Sequence, residues 1–205
     1  MIYSLHTILV LGHILALALG LGSALIADYI VLRKLAFGTV SQKAAGQLIE
    51  LSHAVCAGLV LIWITGALLV TDNALNAPAS VMNQKLWAKL AIVTALTLNA
   101  VLLHRIVMPM VTRRVGQPLF GEAFNRLAIA STLLGAVSVV SWVFSAFLGV
   151  ARELNGRENL VPILASYLGV LLLTWAMAVV MLWLMQQRRA GSKPFPFSGT
   201  HIPSS

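Results

Sequence analysis

Five apolar runs, each long enough to cross a bilayer, constrain this chain more than any other feature. A spanning helix needs about 20 largely apolar residues, because the hydrocarbon core is about 30 Å thick. The stretches 5–32, 49–70, 86–108, 126–150 and 161–185 reach that length. With no water inside a bilayer, each must satisfy its backbone groups internally, so each predicts an α-helix. The expected fold is an all-α integral membrane protein, a five-transmembrane-helix bundle. It forms one domain over residues 1–188, with a flexible Pro/Gly/Ser-rich tail over 189–205. Only 10% of the 205 residues are charged, against about 25% in soluble domains. The first charges, Asp28 and Arg33, come after a long apolar run. That run lacks the basic start of a cleaved signal peptide and is read as a helix that stays.

The net charge of +8 does not point to nucleic acid, because the basic residues sit in short connections beside apolar runs. There they set orientation. Arg33, Lys34, Lys43, Arg105, Arg113, Arg114, Arg126, Arg188, Arg189 and Lys193 fall on one side, ten of the chain's 14 Lys and Arg. Lys85, Lys89, Arg152 and Arg157 fall on the other. The richer side is expected to be cytoplasmic, which puts the N-terminus outside and the C-terminus inside a bacterial-type inner membrane. Cys56 is the one cysteine, so no intrachain disulfide forms, and the absence of a Cys-x-x-Cys-His motif excludes covalent haem attachment.

Ionisable side chains are costly in lipid and mark functional positions. At 1.5 Å per residue, His53 and His104 both lie roughly 10 Å to the inner side of the midplane, on antiparallel neighbours. His13 lies roughly 7 Å to the outer side, with His6 two turns further out on the same face. Lys89 approaches the depth of His13 once its stem is extended. Facing histidines at one depth can clamp a b-type haem iron, which selects His53 with His104. The stripe Gly12, Ala16, Gly20 and Ala24 lets another helix or a flat ring approach closely, and plain helix packing is the simpler use of it.

Other polar residues have blander expectations. Asp28 is read as marking the interfacial end of the first helix, and Asn99 as an interhelical hydrogen-bond donor. Trp63, Trp142 and Trp175 lie deeper than an aromatic belt requires and either pack or flank a cofactor. Arg105 is expected at lipid phosphate or a haem propionate. His201, in the tail, has no assigned role.

The stretch "KLWAKLAIVTALTLNAVLLH" (85–104), a first helix with His13 followed by "GLGS", and "FNRLAIASTLLGAVSVVSWVF" (124–144) together resemble the HemJ-type protoporphyrinogen oxidase family. They also resemble related CopD-like membrane proteins. The resemblance covers roughly residues 5–150 and its motifs are short. It implies an embedded b-type haem, oxidation–reduction chemistry, and functional roles for His13 and Lys89. Two features differ: "LIADYIVLR" replaces the family's aromatic and Pro-Arg features, and His104 falls about one turn past its third-helix histidine. Haem binding is therefore the stronger expectation, and porphyrinogen oxidation the weaker.

The leading expectation is a haem-b membrane redox protein, either an electron carrier or a quinone-linked oxidase. Its candidate iron ligands are His13, His53 and His104, with Lys89 beside the cofactor. One haem is expected, or two if both pairs are used, and no catalytic residue is assigned. Expected partners are lipid, a quinone or redox protein, and further subunits of a homo-oligomer or membrane complex. The alternatives are a CopD-like permease for copper or another small solute, and a passive scaffold. Met108 and Met110 around Pro109 are the nearest approach to a soft-metal path.

Overall fold

The structure is a computed structural model that describes residues 2–37, 39–78, 83–117, 126–151 and 159–191. The described residues form α1 (Ile2–Phe37), α2 (Gln42–Asn76), α3 (Gln84–Leu102), α4 (Met108–Arg113), α5 (Arg126–Val150) and α6 (Leu160–Gly191). A five-residue π turn, Leu103–Val107, joins α3 to α4. The segments Leu5–Arg33, Gln42–Asn76, Gln84–Arg113, Ile129–Val150 and Leu160–Met185 are long and apolar enough to cross a membrane, which marks the chain as a multi-pass membrane protein.

The helices overrun the apolar runs, for local reasons. Ser41 caps α2, its hydroxyl accepting from Ala44 N–H at 3.2 Å, so α2 begins seven residues before position 49. Pro109 would ordinarily stop a helix, having no N–H to donate. Instead, the turn before it widens: Met108 N–H reaches back five residues to Leu103 O, and the helix continues to Arg113. Residues 189–191, expected in a flexible tail, are the last helical residues of α6. Gln, Arg and Ala favour helix, and Gly191 is a common type of stop. Residues 192–205, with His201, lie outside the described residues.

α1 and α2 form the most extensive antiparallel pair. Their contacts step by seven residues on each helix: His6 meets Asp72, His13 meets Thr65, and Gly20 meets Gly58. Seven residues are nearly two turns, so one face of each helix is used throughout. A Cβ at Gly58 would stand 2.8 Å from Gly20 Cα. Only glycine permits this closeness, and the small-residue stripe of α1 is in fact a packing seam.

α5 lies against α1, α3 and α6. Its Trp142 is fully buried, with the edge of its ring over Gly20, where a Cβ would collide with Cη2. Trp142, Ala16, Ala24, Leu59, Ile62 and Leu96 make the central core. Two further clusters fill the ends. One is built on Val40, Leu48 and Val111, the other on Ile92, Leu148 and Tyr167.

The connections are stitched as well. At one end, Val40 N–H donates to Gln117 O at 3.1 Å, and Gly116 N–H donates to Val40 O at 2.8 Å. Gly116 has φ +83°, a backbone conformation that favours glycine. At the other end, the buried Lys85 donates its Nζ to Ala151 O, just past the end of α5. Its neighbour Gln84 accepts Leu160 N–H at 2.6 Å. Adjacent residues of α3 thus satisfy orphan groups at the end of α5 and the start of α6.

Candidate functional site

The register of α1 on α2 puts polar groups on one seam. Nearest the start of α1, His6 Nδ1 and Asp72 Oδ2 are 2.6 Å apart, and the other Asp72 oxygen accepts from Asn76 Nδ2 at 2.9 Å. The His6 side chain is 46% exposed, so this pair sits at the rim. Two turns deeper, His13 Nδ1 lies 2.7 Å from Thr65 Oγ1.

The direction of the His13 bond follows from the second bond of the same hydroxyl. Thr65 Oγ1 lies 2.6 Å from Leu61 O, a carbonyl that only accepts, so the hydroxyl hydrogen is committed there. With that hydrogen on Leu61 O, Thr65 accepts from His13, and a neutral ring then carries its proton on Nδ1. Its Nε2 keeps an unprotonated lone pair. A neutral imidazole anchored through Nδ1 is the arrangement found in metal-ligating histidines. Gly66 of α2 lies against the same ring, where a Cβ would make ordinary contact at 3.6 Å from His13 Cε1.

Lys89, one turn after Lys85 on α3, is close enough for its charge to act on His13. α1 and α3 lean on α5 rather than chiefly on one another. A further link joins Trp63 Nε1 to Thr97 Oγ1 at 3.0 Å, between α2 and α3.

Across the Trp142–Gly20–Gly58 contact lies a second feature, a cavity of about 90 Å³ between α1, α2, α3 and α5. Its walls are mostly apolar. The exceptions include Asp28, Ser52, Asn99 and His104, the last carried on the π turn. Asn99 Nδ2 donates to Leu134 O at 3.0 Å, which is the interhelical role expected of it. Asp28 does not mark the end of α1, because the helix continues nine residues to Phe37. It faces the cavity instead, and its buried Oδ2 has no hydrogen-bond partner among the described residues.

The four candidate ligands therefore separate. His13 and Lys89 share one region, and His104 lines the cavity. His53 matches His104 in depth, as its neighbour Ser52 shows by lining the same space, but the His53 side chain is exposed and is not among the lining residues. Among the described residues there is no group of three or more His, Cys, Asp and Glu able to hold a metal ion by itself. Sequence reasoning missed Thr65 and Asp72. The signal was present, since they are seven apart on α2 as His6 and His13 are on α1.

Comparisons with protein-family models, with curated proteins and with solved structures give no match to this chain.

Proposed function

We propose that this chain is a haem-b-binding membrane redox protein in which His13 would hold the iron. The observation that carries this reading is the His13–Thr65–Leu61 hydrogen-bond chain, which leaves Nε2 of His13 free to ligate. Donor chemistry fits the group here: one neutral imidazole, with the charge of Lys89 acting on it. The cavity at His104 does not fit the group. At about 90 Å³ it is smaller than the roughly 150 Å³ that admits a single benzene ring, and a porphyrin is several times larger.

When bound, haem supplies one-electron oxidation and reduction. The residues of this chain hold and tune it. Thr65 fixes the tautomer and ring orientation of His13, and hydrogen bonding at Nδ1 raises the basicity of Nε2. Lys89 would contribute a positive charge that favours an anionic porphyrin. Lipid covers the outer faces, and a quinone dissolved in that lipid is the natural electron partner. The ten-residue basic side supports an N-terminus outside and a C-terminus in the cytoplasm of a bacterial-type inner membrane.

The test is the absorption spectrum of detergent-purified protein, oxidised and reduced, in wild type and His13→Ala. A reduced α-band that the substitution abolishes or shifts supports the reading.

A further inference from the structure

The cavity beyond Trp142 has chemistry of its own. Among the described residues, Asp28 is the only acid that lines it, and no lysine or arginine does. Among the described residues its buried Oδ2 has no hydrogen-bond partner, a costly state for a carboxylate. Two of the surrounding groups have a donor committed elsewhere. Ser52 donates its hydroxyl hydrogen to Ile49 O at 2.8 Å, and Asn99 donates Nδ2 to Leu134 O at 3.0 Å. What each has left for a ligand includes oxygen lone pairs. Ser138 of α5 adds a hydroxyl.

Size decides between ligand classes. About 90 Å³ holds about half a dozen waters at 10–15 Å³ each, but not an aromatic ring. Hard oxygen donors suit hard cations, and one carboxylate among neutral oxygens balances a single positive charge. Soft metals are poorly served, with one cysteine and no cluster of ligands among the described residues.

We propose that this cavity binds a small monovalent cation, held by the Asp28 carboxylate, the oxygens of Ser52 and Asn99, and water. The site does not depend on haem, since Gly20, Gly58 and Trp142 stand between it and His13.

Cys56 supplies an intrinsic reporter, being the only cysteine, exposed, and part of the cavity lining. The experiment uses the full chain in detergent at mildly alkaline pH, with ionic strength held constant by choline chloride. Radioactive sodium measures binding, with potassium and ammonium as competitors, and maleimide alkylation of Cys56 is timed with and without sodium. The proposal expects saturable binding approaching one ion per chain and Cys56 alkylation slowed several-fold by sodium. Both effects should persist in His13→Ala and vanish in Asp28→Asn. Absence of saturable binding in wild type, or an alkylation rate indifferent to all three cations, overturns it. So does binding that is undiminished in Asp28→Asn. The wild-type alkylation rates decide the matter even if Asp28→Asn fails to fold.

Discussion

His13 Nδ1 stands 2.7 Å from Thr65 Oγ1, and that hydroxyl in turn gives its own hydrogen to Leu61 O at 2.6 Å. This pair links the fold to the proposed chemistry, because the same α1–α2 register that packs the helices also sets the tautomer of the histidine. Removing the acceptor while keeping the shape tests it. Thr65→Val should leave the protein folded but weaken haem retention roughly 10–100-fold, as loss of a ligand-orienting partner does elsewhere. Thr65→Ser, which keeps the hydroxyl, should retain the cofactor. Haem content after size-exclusion chromatography reads both.

Gly58 and Gly20 form the tightest point of the helix pair. Gly58→Ala must push the two backbones apart, since the added Cβ would stand 2.8 Å from Gly20 Cα. A loss of about 1–3 kcal/mol is expected, typical of overpacking. A methyl group at Gly22 would meet nothing within 4 Å, and Gly22→Ala should be neutral or stabilising by up to about 1 kcal/mol. Thermal denaturation followed by helical circular dichroism distinguishes the two. Equal effects at both positions would contradict the register.

His6 and Asp72 continue the same seam at the rim. With the His6 side chain 46% exposed, the pair should contribute little, about 0.2–1 kcal/mol in a double-mutant cycle. Neither His6→Ala nor Asp72→Asn should remove the cofactor, because the haem assignment rests on His13. Loss of haem in His6→Ala would show that the wrong histidine of the seam has been assigned.

Orientation is open to a direct check. Ten basic residues on the side of the α1–α2 connection predict a cytoplasmic C-terminus. A fluorescent protein fused after residue 205 should therefore fluoresce. Alkaline phosphatase fused near Asn76, at the opposite end, should be active. The reverse pattern would invert the topology.

The five helices were legible because a bilayer imposes a length and an apolar composition that single-sequence reading detects directly. Asn99 was legible too, since an amide at mid-span has few options other than bonding a neighbouring helix. Asp28 was not, because the charges Arg33 and Lys34 end the apolar run while the helix itself continues to Phe37. Helix and apolar run are different objects, and the residue's position relative to the cavity depends on the first. Thr65 and Asp72 were invisible individually, as threonine on a spanning helix commonly bonds its own backbone. Their meaning lies in the register of α1 against α2, which no single-helix pattern encodes. The exposure of His53 is a matter of rotation: its neighbour Ser52 takes the inward position about 100° away on the helix.

The most direct test of the central claim is the reduced-minus-oxidised absorption spectrum of purified protein, compared among wild type, His13→Ala and His53→Ala. The account predicts a sharp reduced α-band in wild type, unchanged in His53→Ala and lost or shifted in His13→Ala. A wild-type protein that stays colourless after haem supplementation, or a His13→Ala spectrum identical to wild type, would contradict it.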